Sequence, residues 1–380
     1  MRFGRASIAA ALALAVAAVA TGEATALASS SPVVGHVYVN DNTAGTNTIA
    51  GFDRHADGTL TPSAGSPFTA GGAGTGSGLA SQGAIQRDGR FLVAVDAGSN
   101  QLSVLRIWAS GALTPVGSPV WSHGVLPVSI AAHGSLVYVA NAGTGGSNYT
   151  GFRLTETGRL RHLSGSTFRV PDGSQPGDVL FNSTGTKLAG TRVATSLIDS
   201  FRVRADGRLA AAPGSPFAAQ GPGPFGSEFR PTNPSQLFVS NAHGGTDAGT
   251  VSAFRVSPDG TLNSIGDSPF PDHQTAPCWV EISHDGQYLF TVNTAVPSIS
   301  SYRIGVYGRL HLLGSTGFND PTGLAPLDAR LSPSGDTLWT VDTAAAAVSG
   351  FRVHGGKLTE LSSSPTPLPA GATAFGIVVT

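Results

Sequence analysis

The sequence predicts an all-β fold, a seven-bladed β-propeller with four-stranded antiparallel blades. Three observations predict it. First, one phrase recurs: an aromatic- or leucine-bearing strand, a few polar residues, then a Gly-x-Leu turn. The copies begin at Gly51-Phe52, Val104-Leu105, Gly151-Phe152, Ser200-Phe201, Ala253-Phe254, Ser301-Tyr302 and Gly350-Phe351. Their turn glycines, Gly58, Gly111, Gly158, Gly207, Gly260, Gly308 and Gly356, are spaced by 53, 47, 49, 53, 48 and 48 residues. A period near fifty built of short strands fits propeller blades; helical repeats need longer apolar periodicity and fewer glycines. Second, the chain holds 51 glycines and only 12% charged residues, as many short strands joined by tight turns require. Third, the two ends are complementary. Residues 35–40 read as a second strand with no first strand before it, and 375–379 as a first strand with no blade after it. Pairing them completes the N-terminal blade and closes the ring.

The sixth repeat shows how a blade is written. Residues 278–283 form the first strand, His284-Asp285-Gly286 turns the chain, and 288–293 form the second. Residues 298–304 form the third, Tyr307-Gly308 turns again, and the fourth starts at 310–313. Bulky and small residues alternate along each, as in half-buried strands. Ser-Pro-Phe phrases at 66–68, 215–217 and 268–270 lie beside fourth strands. There a proline costs no ladder bond, and the phenylalanines are expected to pack between blades.

Residues 1–28 read as a leader: Arg2 and Arg5, a short Ala/Leu/Val run over 8–20, then Ala26-Leu27-Ala28 as the cleavage pattern. The run is shorter than a bilayer span. The expected product is a secreted single domain over 29–380, monomeric, without a membrane span. Removing the leader takes Arg2, Arg5 and Glu23, so 22 basic and 23 acidic residues become 20 and 22. Such a balance argues against nucleic acid as a partner. Cys278 is the only cysteine, so no internal disulfide forms and burial must hold the fold.

Propeller ligands meet loops around the central channel. First strands open on Pro127, Pro176, Pro224, Pro277 and Pro326. Two residues on come Ser129, Asp178, Gly226, Trp279 and Asp328; four on come Ala131, Leu180, Glu228, Glu281 and Arg330. The intervening positions are mostly apolar, so this set faces the channel. Glu228 and Glu281 are candidate catalytic carboxylates; a paired network, such as Glu281 with Arg330, is the structural alternative and the weightier one. Second strands end at Asn40, Asp96, Asn141, Arg192, Asn241, Asn293 and Asp342. Asn and Asp cap the following turn. Arg192 makes no such cap, so it is either an anion-binding fork at the mouth or a solvated side chain. The polar loops 141–149 and 241–249 flank it, and His243 is the candidate acid–base group, with a solvated loop histidine as the alternative. Trp279 either stacks on a sugar ring or lactone or plugs the channel. Cys278 reads as a small buried hydrophobe ahead of a nucleophile paired with His273. Phosphate loops, zinc-protease helices, nucleophile elbows and clustered metal ligands are all missing, so no cofactor and no metal is expected.

The phrases Val37-Tyr38-Val39-Asn40, Val137-Tyr138-Val139-Ala140-Asn141 and Phe290-Thr291-Val292-Asn293, with Asp-Gly-x-Leu turns at 57–60, 206–209 and 259–262, resemble the lactonase-type seven-bladed propellers, their exported YVTN-repeat branch included. Bacterial 6-phosphogluconolactonase and the fungal carboxymuconate-lactonizing enzyme belong to that family. The resemblance implies a Gly-Pro-Arg-His phrase entering the fifth blade and an Asn-Glu ending its second strand. Here the first is Gly223-Pro224-Phe225-Gly226 and the second Asn241-Ala242. The family's fourth-blade histidine has no counterpart in Gln175-Pro176-Gly177-Asp178. The expectation is an exported propeller without the family's catalytic residues. It binds a small polar or carbohydrate-like ligand, or a protein partner, through Arg192, Trp279, Asp178, Arg330 and Phe225. The alternative is a lactone hydrolase with a rebuilt site using His243, Arg192, Glu228 or Glu281.

Overall fold

The structure is a computed structural model that describes residues 31–380; the leader and its cleavage point lie outside them. Seven antiparallel sheets form the ring. Blades 2 to 7 take their strands consecutively: for blade 4, Pro176–Phe181, Lys187–Arg192, Leu197–Val203 and Leu209–Ala211. Blade 1 is built from both ends of the chain. Val33–Asn40 pairs Thr48–His55 on one side and the C-terminal strand Ile377–Val379 on the other. His36 and Thr380 exchange backbone hydrogen bonds at 3.1 and 2.8 Å. The expected closure is therefore present, on a shorter terminal strand than 375–379. No helix among the described residues is long and apolar enough to cross a membrane.

The repeat explains the packing. Leu105 and the aromatic residues Phe52, Phe152, Phe201, Phe254, Tyr302 and Phe351, which open the seven copies, are all buried. Their partner glycines hold φ between 78° and 93°, a left-handed turn that side chains resist. Tyr38 in blade 1 donates its hydroxyl to the carbonyl of Gly111 in blade 2, and Tyr138 in blade 3 to Gly207 in blade 4, both at 2.9 Å. Thus the tyrosine of the YVN phrase locks one blade to the next turn glycine. Phe68 and Phe270 are buried against residues of the following blade, as expected of the Ser-Pro-Phe phrases.

The fourth strands depart from the regular blade. In six blades the outer strand is split into two short pieces, as at Leu60–Pro62 and Phe68–Thr69; in blade 6 it runs unbroken over Leu310–Gly317. The first strands of blades 3 to 7 each carry an irregularity just after the opening proline, for example between Pro176 and Asp178. Such a bulge re-aims the side chains beside it.

Candidate functional site

The channel holds a plug. The link from blade 1 to blade 2 dips to the axis at residues 81–83. There the Ser81 hydroxyl donates to the Val128 carbonyl in blade 3, and the Gln82 amide to Gly177 in blade 4. The Gln82 side chain donates to Ser227 in blade 5 and accepts from the Val280 amide in blade 6, both at 3.0 Å. The Gly83 amide donates to Asp328 in blade 7 at 2.9 Å. Three residues thus tie five blades together near the start of their first strands. Trp279 completes the plug: its indole N–H donates to the Ser81 carbonyl at 2.9 Å, and Phe225 packs edge-on against its ring at 5.2 Å. Both aromatics are buried, so of the two readings of Trp279 the geometry gives the plug.

Neighbouring blades satisfy Asp178, and the plug satisfies Asp328. Asp178 accepts from the Ser227 amide at 2.9 Å and hydroxyl at 2.7 Å, and from Ser129 at 3.3 Å. Burial pushes its carboxyl up to about 7, with Ser227 pulling the other way and Asp328 adding to the rise. Asp328, bonded to Gly83 and its own Ala329 amide, is raised by burial to about 6.

Below the plug the strand register builds a ring. Ala131, Leu180, Glu228, Glu281 and Arg330 pair with Tyr138, Ala189, Phe238, Phe290 and Trp339, each three residues before the end of its second strand. Gln86 in blade 2, opposite Val93, joins the same level. Counting four residues from each proline therefore selected one true layer of the channel. Arg330 donates to Glu281 at 2.8 Å, and the other Glu281 oxygen accepts the Leu331 amide at 2.8 Å. Glu228 lacks such a pairing, and its Oε2 is buried with no partner. Burial and then the Glu281 charge push its carboxyl well above the usual range, with Arg330 opposing. A cavity of about 150 Å³ adjoins this layer, lined by Gln82, Gln86, Asp178, Glu228 and Arg330 among others.

The remaining candidates lie elsewhere. Arg192 is buried and grips Asp199 with two bonds of 2.6 Å, while the Tyr149 hydroxyl donates to the same carboxylate at 3.0 Å. Its fork is filled from within blade 4. Other blades place a neutral pair in this slot, seven residues apart: Asn141 with Asn148, Asn293 with Ser300. The sequence assigns those asparagines to turn caps; Asn40 does cap the Asn42 amide, but Asn141, Asn241 and Asn293 reach to the third strand instead. His243 is exposed on its loop, over Gly223. Pro224 pairs with Asn241 and Glu228 with Phe238, so Glu228 lies four residues down the strand from the loop that carries His243. At about 3.3 Å per residue, the two do not converge. Burial raises the Cys278 thiol to about 11, with Thr294 as its hydrogen-bond partner. Gly226 has no room for a side chain: a Cβ there would run into Gln82 Oε1 and the Cys278 carbonyl. The plug itself was not legible, since residues 79–84 carry none of the blade phrase; their Ser81-Gln82-Gly83 is polar where strands elsewhere begin with proline.

Fold and axis together define a closed seven-bladed propeller with a buried polar core. The family model described as "Lactonase, 7-bladed beta-propeller" matches residues 37–181 and 229–373, and the chain belongs to that family. A candidate 6-phosphogluconolactonase of Bacteroides uniformis is similar in structure, with a TM-score of 0.72 at 19% identity over 91% of this chain and 99% of its own. The periplasmic gluconolactonase of Pseudomonas aeruginosa gives 0.70 at 16% identity, over 91% and 99%. A functionally unknown protein of Desulfotomaculum acetoxidans gives 0.68 at 15%, over 91% and 98%. At these identities the likeness concerns the fold alone. No curated protein matches the chain in sequence.

Proposed function

We propose that this lactonase-family propeller is an exported, monomeric binding protein that does not run the family's hydrolysis. One observation carries the reading. Residues 81–83 fill the axis where the first strands begin, and Gln82 stands where a side chain at position 226 would project. The resemblance puts a histidine at 226 and an arginine at 225; here the glycine leaves space for the plug, and Phe225 packs on Trp279. The cavity that remains, about 150 Å³, is below the 300–1,000 Å³ typical of small-molecule sites. Binding is therefore assigned to the polar rim above the plug. There His243, Thr246 and Asp247 are exposed on the 241–249 loop of blade 5, and Thr144 and Gly145 on the 141–149 loop of blade 3. Exposed polar side chains of this kind suit a carbohydrate chain or a protein loop. Export rests on the leader pattern of residues 1–28.

A second reading has its own support. Glu228 is a buried carboxyl with an unpartnered oxygen and a raised proton affinity, the character of a general acid. In a lactone hydrolase it would protonate the leaving oxygen. One experiment separates the two. The protein is offered a panel of γ- and δ-lactones, and its thermal midpoint is followed against soluble polysaccharides. Binding alone predicts no turnover above background and a rise in midpoint that His243→Ala with Asp247→Ala removes. Turnover that Glu228→Gln abolishes would establish the hydrolase instead.

A further inference from the structure

The outer edge of blade 6 differs from the other six. Elsewhere the outermost strand breaks in two, and in five blades a serine of the break accepts a third-strand amide, as Ser66 does from Gly51 and Ser268 from Ala253. In blade 6 the run Leu313-Gly314-Ser315-Thr316 is one residue shorter than Leu163-Ser164-Gly165-Ser166-Thr167 of blade 3. The break is lost and the strand Leu310–Gly317 continues, pairing Gly314 with Ser301 and Ser315 with Ser300. Its outer side pairs with no strand among the described residues. Long unpaired edges accept a further strand, and proteins guard them with proline or charge. Blades 1 and 2 carry Pro62 and Pro115 on this strand, and blade 3 carries Arg161 and His162. Blade 6 has Leu312 and then Leu313, 36% and 50% exposed. Ser63, Ala212, Ile265 and Leu361, at the place of Leu313 in other blades, are buried.

The two faces of this edge differ in chemistry. Leu312 pairs with Tyr302, whose hydroxyl donates to the Pro271 carbonyl of blade 5, so Leu312 lies on the face toward that blade. His311 pairs with Arg303, and Arg303 with Tyr288, whose ring lies against Gly356 of blade 7. On this second face a groove of about 220 Å³ runs between the strand and blade 7. Ser301, Ser315, Thr316 and Lys357 line it with Leu313, and no carboxylate does. Lys357 and Arg303 are exposed. Glu360, on the strand of Lys357, is committed to the Asn319 amide and the Ser364 hydroxyl. The groove is smaller than a small-molecule site, and its size suits single side chains. We propose that the outer edge of blade 6 binds an extended acidic peptide segment of a protein partner by strand addition, its carboxylates turned to Lys357 and Arg303 and its apolar side chains to Leu312. Successive side chains of an added strand point to opposite faces, so alternating acidic and apolar residues match both. A second copy of this chain fits worse, because it would bring another Lys357 and Arg303 to the same edge.

The probes are end-capped fluorescent octapeptides: alternating valine and glutamate, alternating valine and lysine, and the first with every amide N-methylated. Polarisation is followed as the protein is added. The glutamate peptide should bind saturably, the lysine peptide about tenfold more weakly or worse, and the N-methylated peptide not at all. Leu312→Pro puts proline where Pro62 and Pro115 stand, since Leu312 pairs with Tyr302 as they pair with Phe52 and Leu105. Proline on such an edge costs no ladder bond. The variant should keep the thermal midpoint and weaken the glutamate peptide about threefold to tenfold, as losing one backbone hydrogen bond does. Lys357→Glu, at an exposed side chain, should keep the midpoint and weaken it about tenfold. A glutamate peptide that does not bind, or binds both variants as tightly as the wild type, would overturn the site. Equal binding of the N-methylated peptide would overturn strand addition, and equal binding of the lysine peptide the acidic class. A concentration-dependent dimer that Leu312→Pro dissolves would make a second copy the occupant and overturn the peptide partner.

Discussion

Trp279 of blade 6 donates its indole N–H to the carbonyl of Ser81, 198 residues earlier in the chain and 2.9 Å away. The bond spans the ring at its axis. It converts a loop that would otherwise lie over the channel into a structural hub. The same hub places Gln82 against Gly226 and Gly83 against Asp328. Plug and ring are therefore coupled here: what occupies the axis also holds the blades.

That coupling is measurable. Trp279→Phe keeps a ring but leaves the Ser81 carbonyl buried without its donor, which should cost about 1–3 kcal/mol. Gly226→Ala should cost a similar amount by overpacking. Combining it with Gln82→Ala should recover little, because the Cys278 carbonyl blocks the same space. Urea unfolding checks both. Wild-type stability in either variant would mean that residues 81–83 do not sit on the axis.

Buried carboxyls set a pH dependence of unusual sign. Asp178 is raised to about 7, Asp328 to about 6 and Asp41 to about 7, all chiefly by burial. An unfolded aspartate titrates near 3.9. Between these values the folded state binds more protons than the unfolded one, so stability falls as pH rises from about 4 to about 7. The stabilisation is complete below about 4 and gone above about 7. Asp178 alone carries on the order of 2–4 kcal/mol of that change, at about 1.4 kcal/mol per unit. Asp178→Asn should flatten the slope of thermal midpoint against pH across this window. An unaltered slope would show that Asp178 is ionised in the folded protein.

The closing strand makes the sharpest stability test. Phe375, Ile377, Val378 and Val379 are buried, each worth about 1.5–3 kcal/mol. Deleting residues 374–380 also removes the His36–Thr380 bonds and strips the inner edge of blade 1. The sum approaches the whole stability of a typical domain, about 5–15 kcal/mol. The truncated chain should lose its cooperative transition or drop in midpoint by well over 10 °C. An unchanged midpoint would mean the terminal strand is not part of the ring.

The repeats made the ring legible because each copy obeys the same local rules. The glycine turn needs left-handed φ, the aromatic needs an interblade slot, and the final strand needs an edge. Glu281 with Arg330 was legible too, because counting from the opening proline places both in one layer. The plug was not. Its hydrogen bonds join residues 82 and 227, or 83 and 328, and no local pattern encodes a contact that only the closed ring creates. Arg192 misled for a related reason. Read alone, an arginine ending a strand suggests an anion site; Asp199, seven residues on, supplies its partner across the hairpin.

The Arg192–Asp199 pair can be tested against its neutral equivalents. Arg192→Asn alone strands the Asp199 carboxylate among buried groups, with Tyr149 as its remaining donor. Breaking one half of a buried pair costs about 3–5 kcal/mol. Adding Asp199→Asn recreates the Asn141–Asn148 arrangement of blade 3, where the amide donates across the same seven-residue spacing at 2.9 Å. The double variant should recover most of the loss, because the slot then holds two hydrogen-bonded amides and no stranded charge. If the double variant is as unstable as the single one, the slots differ in shape as well as charge. If Arg192→Asn instead leaves stability intact and abolishes ligand binding, the arginine works at the mouth and the ion pair does not persist in solution.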